Sequence, residues 1–304
     1  LYVDACMKEL LSVIKCGSTA YLMQQSMFLS PLKAVEFLNE HRVNTLCWVA
    51  SALTIISGLG AFEDIKPEYM RTVCFGSEAF PVKQLQLWQS ACPGARFVNL
   101  YGPTEATGMS FYYVVDRDFS DGEPIPVGRP FDNTGFMLLR EDDTEAAPGE
   151  TGEICIRGTA LTHGYFDDPE RTAAAFTQNP LNKHYPELIY RTGDLGRINE
   201  RGELVFVSRK DHQIKNMGHR VELGEIEACA DGCEGVVRSC CMFDKQKGKL
   251  LMFYMGAADE KTLGKYLRSM LPRYMLPSKI KRLDALPLLE NGKIDRNSLK
   301  DMEI

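Results

Sequence analysis

The residues best suited to chemistry stand in one short run, Asn99-Leu100-Tyr101-Gly102-Pro103-Thr104-Glu105. The dipeptide Gly102-Pro103 is typical of a tight turn, which would separate the aromatic residue Tyr101 from the hydroxyl of Thr104 and the carboxylate of Glu105. Such a turn would hold Tyr101 for stacking on a purine, Thr104 against a phosphate oxygen and Glu105 near Mg2+, which prefers oxygen ligands. Taken alone, the run fits an ordinary strand-to-helix loop equally well.

Four further motifs follow in a fixed order, which makes coincidence very improbable. They are Tyr190-Arg191-Thr192-Gly193-Asp194-Leu195, Ser208-Arg209-Lys210-Asp211-His212-Gln213-Ile214-Lys215, Gly218-His219-Arg220-Val221-Glu222-Leu223-Gly224-Glu225-Ile226-Glu227 and Asn291-Gly292-Lys293-Ile294-Asp295-Arg296. Together the motifs resemble the adenylate-forming superfamily, and within it the amino-acid adenylation domains of nonribosomal peptide synthetases and the D-alanine:carrier-protein ligases. Members of that family carry a phosphate loop of the type S-G-T-T-G-x-P-K-G before the first run. This sequence contains no such loop, so we expect it to be the C-terminal part of a longer enzyme.

The resemblance implies a ligase that uses ATP and Mg2+. It would convert an amino acid to aminoacyl-AMP and pyrophosphate, then transfer the aminoacyl group to the phosphopantetheine thiol of a carrier protein. Catalytic roles fall to Thr104 and Glu105, with Glu105 also the metal ligand. Nucleotide-binding roles fall to Gly76, Ser77, Glu78, Asn99, Tyr101, Gly102, Asp194 and Arg209. In this set Asp194 accepts the ribose hydroxyls, Arg209 contacts ribose or phosphate, and Gly76-Ser77-Glu78 offers backbone groups to adenine.

A cation is needed because carboxylate attack on a phosphate brings two anions together, and electrostatic stabilisation dominates such chemistry. Asn291-Gly292 is a two-residue hairpin signal, so Lys293 would follow on a stiff turn. An isolated Asn-Gly-Lys indicates a solvated turn lysine. Here it falls at the family's terminal lysine motif, and the resemblance makes Lys293 the catalytic cation.

The substrate class depends on Asp4. The segment Tyr2-Val3-Asp4-Ala5-Cys6 resembles the F-D-x-S motif, whose aspartate pairs with the α-ammonium group of an amino acid. The alternative is a helix N-cap aspartate. The same residue-by-residue comparison places Val73, Phe75, Leu100 and Gly108 in the side-chain pocket, where Leu100 favours a small or apolar substrate side chain.

The alternation of short elements predicts an α/β fold. Over residues 1–110, apolar strands at 45–50 and 71–75 alternate with helices at 31–41 and 81–91, which is typical of a parallel sheet flanked by helices. Residues 111–207 contain short strands separated by turns and predict a small antiparallel β-barrel or sheet. After Asp211 the pattern is that of a small α+β domain, with helices at about 222–231 and 260–270 and a strand at about 250–255.

The domain boundary is expected where the antiparallel strands end. We assign residues 1–209 to the large domain and 210–304 to a small, mobile C-terminal domain. Asp211 resembles the family's hinge residue, although a charged boundary residue is otherwise just part of a linker.

Composition narrows the function classes. The chain has 304 residues, enough for about two domains. Its net charge of −6 provides no basic field for nucleic acid or an anionic membrane. No apolar stretch approaches the roughly 18 residues that span a bilayer. The ten cysteines contain no C-x-x-C pair, so we expect free thiols and a cytoplasmic protein.

Two other functions stay open. An acyl-CoA or aryl-CoA synthetase would share the nucleotide motifs, with CoA as the acceptor, but would not need Asp4. A catalytically incomplete fragment that only binds nucleotide or a carrier protein is the second alternative. The sequence specifies neither the amino acid nor its chirality.

Overall fold

The computed structural model of the chain describes residues 5–120, 123–210, 213–216, 218–244, 247–288, 294–300 and 302. They form two compact units, Leu1–Lys210 and Asp211–Ile304. The helices are α1 (Ala5–Cys16), α2 (Pro31–Glu40), α3 (Ala50–Gly58), α4 (Ala61–Asp64), α5 (Val82–Ala91), α6 (Pro169–Ala175), α7 (Leu223–Asp231), α8 (Glu260–Met270) and α9 (Arg296–Lys300), with short 3-10 helices at Gln25–Leu29, Thr104–Ala106 and Arg273–Met275.

The strands are β1 (Thr45–Val49), β2 (Thr72–Gly76), β3 (Arg96–Tyr101), β4 (Phe111–Val114), β5 (Arg129–Pro130), β6 (Thr134–Leu139), β7 (Gly152–Gly158), β8 (Phe176–Gln178), β9 (Leu188–Ile198), β10 (Leu204–Arg209), β11 (Gln213–Asn216), β12 (His219–Glu222), β13 (Val236–Asp244), β14 (Lys249–Gly256) and β15 (Lys279–Arg282).

The first sheet has the strand order β1-β2-β3-β4-β5. Strands β1, β2 and β3 are parallel, because helical crossovers connect them, whereas β4 and β5 join antiparallel. Apolar side chains from β2 and α5, among them Val73, Phe75 and Trp88, fill the core beneath the helices. The Trp88 indole N–H donates to the Leu53 carbonyl (3.0 Å), so even this large side chain has its polar atom satisfied. The predicted parallel sheet flanked by helices is confirmed.

The second sheet of the first unit is antiparallel, with the order β10-β9-β7-β6 and β8 beside β9. Its core contains Phe111, Leu138, Ile154 and Ile156. The predicted antiparallel layer is present as an open sheet. Strands β4 and β5, although they follow residue 110, extend the first sheet instead, because β4 pairs with β3.

The second unit has α+β architecture. Strands β13 and β14 are antiparallel, and β15 pairs parallel to β14. Helices α7 and α8 supply Ile226, Leu263 and Leu267 to the core of this unit. The Asp259 side chain caps α8 by accepting from the Thr262 N–H (2.9 Å). Throughout the described ranges, no helix combines the length and apolar character required to cross a bilayer.

Candidate nucleotide-binding site

The turn after β3 is packed backbone against backbone. The Ser110 N–H donates to the Tyr101 carbonyl (2.8 Å), which folds the loop back on the end of the strand. A Cβ atom at Gly102 would lie 2.4 Å from the Gly108 carbonyl oxygen and 2.5 Å from the Ser110 nitrogen. Only glycine fits there without a shift of the backbone. Thr104 then begins a 3-10 helix and is exposed.

Strand β9 bulges at its centre, Thr192-Gly193-Asp194. Glu153 of β7 pairs with Leu195 and Cys155 pairs with Arg191, so Ile154 alone lies opposite these three residues. Gly193 adopts the left-handed conformation with φ 70°. A β-bulge bends its strand and redirects side chains, and here Asp194 has no partner in β7 while it stays paired with Arg209 of β10.

Asp194 lies between a phenol and a guanidinium. The Tyr101 hydroxyl donates to Asp194 Oδ2 (2.5 Å), and an Arg209 guanidinium nitrogen donates to Asp194 Oδ1 (2.5 Å). Asp194 is only 6% exposed. Three motifs therefore meet at one carboxylate, although Tyr101 and Asp194 alone are 93 positions apart in sequence.

The Tyr101 hydroxyl stays a donor. Burial, and next the adjacent Asp194 carboxylate, raise the pKa of the Tyr101 phenol well above its usual value. Each Asp194 oxygen has two acceptor positions, so the carboxylate keeps capacity for two further donors. Vicinal ribose hydroxyls match that capacity. The ring of Tyr101 makes an edge contact with Phe111, with 5.7 Å between the ring centroids.

Glu105 is a buried carboxylate, 6% exposed, at the other end of the same loop. Its Oε1 accepts from the Tyr165 hydroxyl (2.7 Å), and its backbone carbonyl accepts from the Thr162 N–H (2.9 Å). Among the described residues, no group of three or more His, Cys, Asp or Glu side chains could hold a metal ion. A single carboxylate still fits Mg2+, which commonly takes one or two protein ligands and completes its shell with water and phosphates.

The end of β2 forms a second close approach. A Cβ atom at Gly76 would lie 2.2 Å from the Leu100 carbonyl oxygen, and Ser77 adopts φ 67°. Glu78 Oε2 accepts from the Ser51 N–H (3.0 Å) near the start of α3. The side-chain amide of Asn99 has a partner within the fold, because its nitrogen donates to the Pro126 carbonyl (2.8 Å).

The residues assigned to the substrate pocket are not brought together. Val73 and Phe75 are 0% and 1% exposed and lie in the main core. Leu100 pairs with Gly76, one position beyond Phe75, so its side chain lies on the opposite face of the sheet. Gly108 is in the turn, with φ 83°. Asp4, Asp211 and Lys293 lie outside the described residues.

Two features of the first unit have no counterpart in the sequence predictions. Tyr165, which contacts Glu105, is preceded by no motif that we interpreted. No predicted site includes Glu153, although a carboxylate within Gly152-Glu153-Ile154-Cys155-Ile156 interrupts an otherwise apolar run. That interruption is the signal that could have identified it.

The second unit contains its own ion pair. Arg296, on α9, donates to Glu227 Oε1 of α7 (2.7 Å) and to Cys240 Sγ of β13 (3.1 Å). Glu227 Oε1 also accepts from the Cys241 N–H (2.6 Å). Both residues end quoted motifs, but their pairing could not be read from sequence, since they are 69 positions apart.

An α/β sheet, an antiparallel layer and a small α+β unit, with a carboxylate held by a phenol and a guanidinium, define the adenylate-forming fold class. The model of the AMP-binding enzyme family matches residues 1–166. The chain belongs to that family.

The relatives are peptide synthetases. The chain is 34% identical to tyrocidine synthase 2 of Brevibacillus parabrevis over 99% of its own length and 8% of the synthase. It is 31% identical to delta-poly-L-ornithine synthetase of Acinetobacter baumannii over 98% of its length and 22% of the synthetase. It thus spans less than a quarter of each.

Solved structures agree. IdnL1 is 32% identical, with a TM-score of 0.77 over 89% of this chain and 56% of IdnL1. Holo-PA1221, an NRPS protein containing adenylation and PCP domains bound to a vinylsulfonamide inhibitor, is 30% identical, with a TM-score of 0.75 over 88% of this chain and 46% of PA1221.

Proposed function

We propose that the natural protein carrying this chain adenylates an amino acid with ATP and passes it to the phosphopantetheine thiol of a carrier protein. The observation that carries the proposal is Asp194, a buried carboxylate held by the Tyr101 hydroxyl and the Arg209 guanidinium. The synthetase relatives and the adenylation and PCP domains of PA1221 support the same reaction class.

The site residues divide the work of holding the nucleotide. Asp194 accepts the two ribose hydroxyls, and its contacts with Tyr101 and Arg209 fix the orientation of the carboxylate before the nucleotide arrives. Preorganised groups of this kind avoid reorganisation during the reaction. The tight approach at Gly76 lets backbone groups of Ser77 and Glu78 face the adenine ring.

The chemistry needs charge neutralisation more than it needs an acid or a base. The substrate carboxylate attacks the α-phosphorus, a carboxyl-oxygen to phosphorus bond forms, and pyrophosphate leaves with the bonding electrons. Mg2+, when bound, supplies positive charge to the phosphates, and Glu105 is the residue that would hold it, beside Thr104. Tyr165 holds the Glu105 carboxylate in place. Lys293 supplies the second positive charge, between carboxylate and phosphate.

In the second half-reaction, the bond from the acyl carbon to the AMP oxygen is replaced by a bond to the carrier sulfur. The carrier thiol loses its proton, its sulfur attacks the acyl carbon, and AMP leaves. Asp4 selects an amino acid by pairing with its ammonium group. Asp211 is the hinge about which the C-terminal domain, predicted from sequence as residues 210–304, changes orientation between the two half-reactions.

The test measures pyrophosphate exchange by the natural full-length protein across a panel of amino acids. Lys293→Ala should lower exchange on the order of 10²-fold or more, as loss of one strong electrostatic donor does. Thiol loading from supplied aminoacyl-AMP should stay nearly intact. Lys247→Ala is the matched control, since Lys247 is an exposed turn lysine 3.7 Å from Asp244.

The rival functions give other outcomes. Exchange that depends on a fatty or aromatic acid, with product formed on CoA and no response to amino acids, would make the protein an acyl-CoA or aryl-CoA synthetase. Binding of AMP without exchange for any acid would make it a nucleotide-binding module. Equal loss of both half-reactions in Lys293→Ala would remove the assignment of Lys293.

A further inference from the structure

Glu153 is a buried charge that the proposed reaction does not use. It is the second residue of β7 and is 5% exposed, between Gly152 and the fully buried Ile154. Burying a carboxylate is costly unless it is paired and hydrogen-bonded. The groups that pair with Glu153 therefore indicate the structural role of its carboxylate.

The partners of Glu153 lie in β9, just before Asp194 in sequence, and directly after β10. Glu153 Oε1 accepts from the Gly193 N–H (3.0 Å), within the bulge and directly before Asp194. Glu153 Oε2 lies 3.4 Å from an Arg191 guanidinium nitrogen and 3.7 Å from Lys210 Nζ. The Lys210 N–H in turn donates to the Gly193 carbonyl (2.7 Å). The Glu153 carboxylate thus stabilises the bulge through both of its oxygens.

The other contacts of the bulge explain why this stabilisation is needed. The Thr192 hydroxyl donates to the Ile154 carbonyl (2.6 Å) and accepts from the Asp194 N–H (3.0 Å). On the β7 side the bulge residues lack regular ladder partners, so side chains replace them. Without Glu153, the partly buried Gly193 N–H would lose its acceptor, and the backbone would have to shift to satisfy it. A shift there moves Asp194, the next residue.

We propose that Glu153 is a positioning residue for the nucleotide site, which holds the Thr192-Gly193-Asp194 bulge so that the Asp194 carboxylate faces the ribose. The inference rests on the proposed function only in taking the ligand to be an adenine nucleotide. Lys210, the last residue of the first unit, is tied to the same carboxylate. The nucleotide site and the end of the first unit therefore share one anchor.

The test is calorimetric binding of AMP to the natural full-length protein. Glu153→Ala should weaken AMP binding at least about tenfold, whereas Glu153→Gln, which keeps an oxygen acceptor for the Gly193 N–H, should stay within about threefold of the wild type. Glu187→Ala is the control, because Glu187 is also well paired, with Arg157 (2.6 Å) and Asn179 (2.6 Å), but these partners lie outside the bulge. Its AMP affinity should not change.

A double-mutant cycle separates positioning from general stability. Because Glu153 acts through Asp194, Glu153→Ala should add less than about threefold to the loss already caused by Asp194→Asn. Fully additive losses, or equal AMP affinity in Glu153→Ala and the wild type, would overturn the inference. A wild-type protein that binds no AMP would instead overturn the proposed function, so the two failures are distinguishable.

Discussion

Two carboxylate–guanidinium pairs, one in each unit, have nearly the same geometry and different surroundings. Asp194 and Arg209 are 2.5 Å apart, with side chains 9% and 14% exposed, and Glu227 and Arg296 are 2.7 Å apart, with side chains 17% and 19% exposed. Charge and distance do not separate a ligand-binding pair from a structural one.

The other partners of each pair do separate them. Asp194 receives its second hydrogen bond from a side chain, the Tyr101 hydroxyl, at the edge of a glycine-rich turn. Glu227 receives its second bond from a backbone N–H, that of Cys241, and Arg296 also donates to the Cys241 carbonyl. The two side-chain donors leave Asp194 acceptor capacity for a ligand, whereas the backbone bond of Glu227 ties α7 to β13. We therefore assign the first pair to binding and the second to holding α7, β13 and α9 together.

The largest effect expected from this contrast is on catalysis. Asp194→Asn should lower pyrophosphate exchange on the order of 10²-fold or more, because the ribose loses its charged acceptor and Arg209 loses its partner. Measured well below the unfolding transition, where the variant stays folded, this loss reports on the site and not on the fraction of folded protein. Glu150→Gln is the control, since Glu150 forms an exposed ion pair with Arg140 (2.8 Å). Normal exchange in Asp194→Asn would place the ribose elsewhere.

The second prediction is that the pair in the second unit affects stability and has little effect on exchange. Glu227→Gln should lower the free energy of unfolding by about 1.5–3 kcal/mol, the usual worth of hydrogen bonds to a charged group, measured by urea denaturation. Exchange at a temperature well below the transition should stay within about threefold of the wild type. A large loss of exchange with unchanged stability would contradict the structural assignment of this pair.

Backbone packing sharpens the same contrast. In Gly102→Ala the new Cβ atom would meet the Gly108 carbonyl oxygen, so the turn must open and exchange should fall roughly tenfold, or about 1.4 kcal/mol. Gly224, within α7, has no atom within 4 Å of such a Cβ. Gly224→Ala should therefore stabilise the second unit by about 0.5–1 kcal/mol, as alanine does in a helix. Parallel kinetic and unfolding measurements on the two variants distinguish the regions.

The smallest effect expected is at alkaline pH. Tyr101 has a raised pKa in the folded state, so its contribution to stability is full below the usual pKa of 10.0 and is lost as pH rises toward the folded value. Tyr101→Phe should flatten the decline of unfolding free energy above about pH 10. Burial raises the pKa of Cys240, in the second unit, to about 11, and that part of the decline should remain. An unchanged slope in Tyr101→Phe would show that the phenol ionises freely.

Patterns among neighbouring residues predicted the helices and strands well, but they did not predict the contacts between residues far apart in sequence. The helices predicted at residues 31–41 and at about 260–270 are present as α2 and α8, because the signals of a helix come from residues close together in sequence. Tyr101 and Asp194 were each assigned to the nucleotide, but their hydrogen bond spans 93 positions and depends on strand order. Glu153 acquires its role from the bulge in β9, and a two-residue period contains no information about a break in register.

The bulge also means that a shorter chain would make a more regular sheet. Deleting Gly193 and Asp194 would leave Thr192 alone opposite Ile154, so β7 and β9 would pair without interruption. The shortened protein would have a more regular sheet and would lack the Asp194 carboxylate. The extra length in β9 is thus a place where selection for function and selection for stability act against each other.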